Sequence, residues 1–158
     1  GIRDSSTSRG LGDVYKRQMR YKQGKYNPRR PSKYKGDIRK VFYRSGWELK
    51  FMLWCDSTSS VTEWGSEEIV IPYISPVDGR RHRYYPDFYV KVNGKKYVVE
   101  VKPSKQTKEP KTQKRHTKRY ITEVVTWSVN KAKWKAATEF CKDYGMEFML
   151  ITEKELKV

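Results

Sequence analysis

Asp87-Phe88-Tyr89-Val90-Lys91-Val92-Asn93-Gly94-Lys95-Lys96-Tyr97-Val98-Val99-Glu100-Val101-Lys102 reads as two β-strands joined by a two-residue turn. Asn-Gly between alternating runs favours a type I′ hairpin, and so short a loop fixes the register. With Val92 opposite Lys95, Tyr89 faces Val98, Asp87 faces Glu100 and Tyr85 faces Lys102. Side chains alternate between the faces of a sheet, so Phe88, Val90, Val92, Tyr97, Val99 and Val101 share an apolar face, expected to be the core side. The other face carries Asp87, Glu100 and Lys102. Opposed Cβ atoms stand roughly 5 Å apart, where like charges cost about 0.2–1 kcal/mol. A divalent cation reverses that cost, and Mg²⁺ is typically held by one or two carboxylates plus water and phosphate oxygens. The competing reading is a solvated strand face with an ordinary salt bridge.

Upstream, Ser45 offers a helix N-cap, and Trp47, Phe51, Met52, Trp54 and Cys55 recur at helical spacing to about Asp56. Glu48 stands three, four and seven residues before Phe51, Met52 and Cys55, on the buried stripe of that helix. An acid there has two readings. Ser45-Gly46-Trp47-Glu48 fits a capping box, or Glu48 completes a site with Asp87 and Glu100; the two are compatible. The runs Val61 to Trp64, Glu67 to Ile74, Tyr84 to Val92 and Lys96 to Lys102 read as strands. Pro76-Val77-Asp78-Gly79 predicts a turn pairing the second with the third. After a lysine-rich stretch read as a mobile loop, Trp134, Ala137, Phe140, Cys141 and Tyr144 predict a helix stopped by Gly145, and Phe148 to Thr152 a last strand. The fold class is therefore α/β, a mixed and mainly antiparallel central sheet flanked by helices.

The chain has 158 residues and a formal net charge of +17, which a polyanionic partner would balance. Nucleic acid is the first candidate; no apolar run long enough for a membrane span is present, and no membrane partner is expected. Cys55 and Cys141 lie in apolar helical patterns, where free cysteine packs as a small hydrophobe. With His82 and His116 they lack the paired spacing of a zinc site. Residues 1–18 have no hydrophobic period, and Asp13-Val14-Tyr15-Lys16-Arg17-Gln18 resembles a translated sequencing adapter, so this leader is expected to be foreign. Without its four cations and two acids the charge is still +15. Residues 19–44 read as a basic N-terminal arm and 45–158 as the working domain.

Glu48, then Pro86-Asp87, then Glu100-Val101-Lys102 form a set that resembles the PD-(D/E)xK nuclease superfamily, whose core is restriction-endonuclease-like. A Ser-x-x-Glu helix, a Pro-Asp strand and a strand ending Glu-x-Lys are similar to its TnsA-like group, although that group more often carries Gln where Glu100 stands. Longer strings, Tyr43 to Phe51, Trp64 to Tyr73 and Ser75 to Gly79, resemble a family of T-even-type tailed-phage nucleases that act in head completion. The resemblance covers most of residues 19–158. It implies that Asp87 and Glu100 bind Mg²⁺ or Mn²⁺, that Glu48 assists metal or water binding, and that Lys102 acts on the attacking water. It also implies cutting or trimming of packaged double-stranded DNA before heads join tails, contact with phage head or portal proteins, and a place in the host cytoplasm during assembly and in the virion.

The expected DNA contacts are Lys105, Lys108, Lys111, Lys114, Arg115, Lys118 and Arg119 of the loop, opposed by the single acid Glu109, with Arg29 and Arg30 of the arm. The alternative is a solubilising charge run. Neither segment shows a helix with base-reading residues at groove spacing, so little sequence specificity is expected. Two other functions stay open: a non-catalytic DNA-binding or head-joining structural protein, and a transposon or restriction-type endonuclease. Whether cutting is endo- or exonucleolytic is not written in these residues.

Overall fold

The computed structural model describes residues 23–156. The expected leader and the first residues of the expected arm lie outside them. In chain order the elements are β1 (Gly24–Lys25), β2 (Phe42–Tyr43), α1 (Gly46–Ser57), β3 (Val61–Ser66), β4 (Ile71–Ile74), β5 (Arg81–Tyr84), β6 (Phe88–Val92), β7 (Lys95–Val101), α2 (Lys118–Asp143), β8 (Glu147–Ile151) and α3 (Glu153–Leu156).

The central sheet runs β3-β6-β7-β8. Its first two pairings are antiparallel, and β8 lies parallel to β7, reached through the long α2 crossover. This is the mixed, mainly antiparallel sheet the sequence predicts. At its centre, Tyr89 faces Val98 and Val92 faces Lys95 in the expected register. Asn93 and Gly94 both take positive φ, 50° and 82°, as a type I′ turn requires.

Each face of the sheet has its own cover. Phe88, Val90, Val99 and Val101 pack with Phe51, Met52 and Cys55 of α1. On the reverse face Val98 is fully buried, and Phe148 and Leu150 of β8 pack with Trp134 and Ala137 of α2 and with Ile71, Tyr73 and Tyr84. The sheet is thus flanked by helices, as expected, and the competing reading of a solvated strand face does not hold for Glu100, which is buried.

The strand read as Tyr84 to Val92 is two strands. Pro86, which has no N–H to give a ladder, ends β5, and β6 begins at Phe88, so the expected pair of Tyr85 with Lys102 does not form. The predicted turn does join β4 to β5, as a hairpin outside the central sheet.

Residues 23–44 are irregular, as the absence of apolar period suggests, but they do not form a detached arm. Tyr26, Tyr34 and Val41 are buried in the α1-side core, β1 pairs with β2, and Tyr34 bridges Trp64. Asp56 accepts hydrogen bonds from the Tyr26 hydroxyl and, at 2.9 Å, from the Arg29 N–H. Lys33 Nζ donates to the carbonyls of Cys55, Asp56 and Thr58 at 3.2, 3.3 and 2.8 Å, a cation on the orphan carbonyls that end α1.

The second helix begins at Lys118, capped by Thr117, whose side chain accepts the Tyr120 N–H. Lys118 and Arg119 therefore belong to its first turn, not to a loop. Ile121, Val124 and Val125 are exposed in that half of the helix, so no one-sided apolar stripe marks its start. At its other end Met146 N donates to Cys141 O at 2.7 Å around Gly145 at φ 70°, the Schellman stop expected of that glycine. Cys55 and Cys141 are buried free thiols. Among the described residues no helix is long and apolar enough to cross a membrane.

Candidate active site

The turn at Pro86 delivers Asp87 to the head of β6, where the register sets it across from Glu100. The Val101 N–H donates to Asp87 Oδ2 at 2.8 Å, and the Asp87 backbone carbonyl accepts the Glu67 N–H at 3.0 Å, so this acid is held on both sides. Its carboxyl is in hydrogen-bond contact with that of Glu100. Burial, and after it the charge of Glu100, pushes Asp87 well above the usual carboxylate range. The Tyr84 hydroxyl donates to Glu100 Oε2 and fixes its orientation.

Glu48 is half-buried at the start of α1, where both sequence readings hold. Its N–H donates to Ser45 Oγ at 3.1 Å, the N-cap bond, while its carboxylate accepts from the Ser45 hydroxyl at 3.4 Å and from the backbone of Arg44, one residue before the cap. Burial first and the charge of Asp87 second push its carboxyl up to about 7. Glu48 and Asp87 thus feel one another, but among the described residues no group of three or more His, Cys, Asp or Glu side chains stands close enough to share a metal ion. The structure brings Asp87 and Glu100 together and leaves Glu48 as a neighbour of the pair.

Two carboxyl groups in contact, Glu100 buried and Asp87 half-buried, are costly unless a proton or a cation lies between them. The donors are hard oxygens only, a set that fits a small divalent cation. Each carboxyl also has a protein donor fixing one oxygen, leaving others for such an ion.

Beside Glu100 opens a cleft of about 570 Å³. Lys102 lines it on the acid side, and its backbone is anchored by donation to Ile151 O at 2.9 Å. Sequence reasoning missed the remaining walls: Arg44 and Glu67, ion-paired to one another, Arg83 of β5, and Asn130 and Lys133 of α2. Glu67 sits at φ 55°, a conformation costing on the order of 1–3 kcal/mol in a non-glycine residue. Lys133 lies over the rings of Tyr84 at 5.6 Å and Tyr73 at 5.8 Å. Asn130 did carry one signal, since it stands four residues before Trp134 as a polar residue on a buried stripe, the same anomaly that marked Glu48.

The expected DNA contacts are dispersed. Lys105 and Lys108 follow β7 closely, and Lys111, Lys114 and Arg115 occupy an exposed stretch without regular structure. Lys118 and Arg119 open α2, with Arg119 paired to Glu123. Arg29 and Arg30 are exposed next to Asp56, about 12 Å along α1 from Glu48 at 1.5 Å per residue. None of these lines the cleft.

Residues 58–153 match the family model described as the TnsA-like endonuclease N-terminal domain. That span holds Asp87, Glu100 and Lys102; Glu48 precedes it. Among curated proteins, the chain is 40% identical over 139 residues to the head completion nuclease of Enterobacteria phage T4, across 85% of this chain and 93% of that protein.

Proposed function

This chain belongs to the TnsA-like endonuclease N-terminal family, and from that premise we propose that it is a phage head-completion nuclease that hydrolyses phosphodiester bonds in double-stranded DNA with Mg²⁺ or Mn²⁺. The observation that carries the reading is the contact of Asp87 with the buried Glu100, which lines a cation-rich cleft, inside the matched segment.

Asp87 and Glu100 hold the metal, and Glu48 supports it or the water beside it. When bound, the cation supplies positive charge that neutralises the pair and polarises the phosphate. The rest is done by the chain. Tyr84 and the Val101 N–H keep the two carboxylates from turning away from the cleft. Lys102 orients the attacking water and offsets negative charge as the new P–O bond forms and the old one breaks. Arg44, occupied by Glu67, shapes the wall and adds charge near the site. The exposed lysines from Lys105 to Lys114 and the arginines Arg29 and Arg30 track phosphates away from the cut, which favours length of contact over sequence. The setting is an infected host cell during head assembly, with head or portal proteins as docking partners.

Incubating the protein with linear and circular DNA, with and without Mg²⁺ or Mn²⁺, tests this. Metal-dependent loss of both substrates indicates endonuclease action, and loss of linear DNA alone indicates exonuclease action. Glu100→Ala and Lys102→Ala are expected to abolish cutting and keep DNA binding. Binding without cutting by the wild type would favour a non-catalytic head-joining protein, and products with defined ends a transposon or restriction-type enzyme.

A further inference from the structure

The buried stripe of α2 is Cys141, Ala137, Trp134 and, one turn further up, Asn130. Asn130 is 6% exposed, yet among the described residues its side chain has no hydrogen-bond partner, and it lines the cleft beside Glu100. Its polar atoms are not sealed in, unlike the indole nitrogen of Trp134 in the next turn. The amide of this otherwise buried residue is therefore open to whatever occupies the cleft. Packing does not explain the residue, because the stripe it continues is otherwise apolar and an alanine or leucine would extend it. Such a group is kept where something that enters the cleft will bond to it.

What enters is indicated by the neighbours. Lys133 follows at i+3, on the same side of the helix. It has no ion-pair partner among the described residues and rests over the faces of Tyr73 and Tyr84. Aromatic faces position an ammonium without neutralising it. Arg83, across on β5, lines the same cleft and is likewise unpaired among the described residues. The cleft therefore has a carboxylate side, with Glu100 and, in contact with it, Asp87, and an amide-and-cation side. A phosphodiester chain suits both at once: one phosphate lies at the acids with their cation, and the next presents non-bridging oxygens to donors.

Resting on the nuclease reading, we propose that Asn130 and Lys133, with Arg83 nearby, bind the backbone phosphate adjacent to the scissile one and so set which phosphate reaches the acid pair. They are substrate-binding residues, distinct from the exposed lysines that hold DNA at a distance.

The test uses the full chain, uniformly ¹⁵N-labelled and free of metal so that nothing is cut, titrated with a 5′-phosphorylated thymidine dinucleotide. The Asn130 side-chain NH₂ cross-peak, identified by its loss in Asn130→Ala, is expected to shift on saturation. Asn130→Ala and Lys133→Gln should each raise the half-saturating concentration about ten- to a hundredfold, the worth of one charge-assisted hydrogen bond. With Mg²⁺, the same variants should raise KM for DNA more than they lower kcat. Asn130→Ala should melt no lower than the wild type, whereas a merely structural asparagine would lower the melting temperature when removed. A cross-peak that stays still, or unchanged half-saturation in both variants, overturns the assignment. So does inorganic phosphate that moves the peak at lower concentration than the dinucleotide, which would make this a free-anion site. Failure of the wild type to cut with metal would instead strike the nuclease reading, and the metal-free titration still decides whether a phosphate binds.

Discussion

Asp87→Asn removes one charge from the Asp87–Glu100 pair and keeps an oxygen to accept the Val101 N–H, now at 2.8 Å. Two ionised carboxylates in contact, at roughly 4 Å, repel by on the order of 4 kcal/mol at the effective dielectric of a protein site. Without metal the native chain relieves this by retaining a proton: burial first, and the charge of Glu100 second, hold the Asp87 carboxyl well above its ordinary value of 3.8. A carboxyl with a raised folded pKa binds its proton more tightly in the folded than in the unfolded chain. Its stabilising contribution is complete below the unfolded pKa and is lost as pH rises through the folded one. The asparagine variant suffers no such loss. In chelator it should equal or trail the wild type at pH 5 and exceed it at pH 8 by about 1–3 kcal/mol, or roughly 2–12 °C in Tm at about 2–4 °C per kcal/mol. Mg²⁺ should reverse the order: at a hundred times Kd a site gains about 2.7 kcal/mol, and only the wild type has the site. Calorimetry at both pH values, with chelator and with Mg²⁺, reads all four conditions. A variant less stable than the wild type at pH 8 in chelator, or one that gains as much from Mg²⁺, would refute the shared-cation account.

Glu48→Gln keeps the capping acceptor but cannot ionise; because Glu48 is raised from 4.5 to about 7, the wild type should lose stability across that window, by at most about 3 kcal/mol, and the variant should not. Urea unfolding at pH 5, 6, 7 and 8 in chelator measures the difference. Tyr84→Phe deletes the donor that orients Glu100, so Mg²⁺ should bind about tenfold more weakly, as titration calorimetry would show. Changing Lys105, Lys108, Lys111 and Lys114 together to alanine should flatten log K against log salt by about 0.9 for each DNA phosphate that is no longer neutralised, with kcat held; an unchanged slope would assign these lysines to solubility. Gly65→Ala puts a Cβ 2.6 Å from the Lys35 carbonyl, and the overpacking should cost about 1–3 kcal/mol in thermal melts by loosening residues 23–44 from β3.

The hairpin was legible because one Asn-Gly pair sets both a turn and a register, and the register alone puts Asp87 across from Glu100. Glu48 was legible as an acid on an apolar stripe. The packing of Tyr26, Tyr34 and Val41 was not, since residues in irregular backbone obey no period that a core would impose. The first half of α2 was hidden for a related reason: Ile121, Val124 and Val125 face outward there, so the helix rests on its own hydrogen bonds and cap instead of an apolar seam. The cation side of the cleft gathers β5 and α2, separated by the whole lysine-rich segment, and no local pattern brings Arg83 to Lys133.

Because Lys102 is tethered to Ile151 of β8, the strand bearing Glu100 gains its outer neighbour only when β8 arrives. A nascent polypeptide released as far as α2 has the acids and the lysine in its sequence but exposes an unpaired strand edge where they should be braced. Synthesis thereby imposes a timing on this protein: the strand that carries Glu100 is braced on both sides only after the crossover helix and β8 have been made.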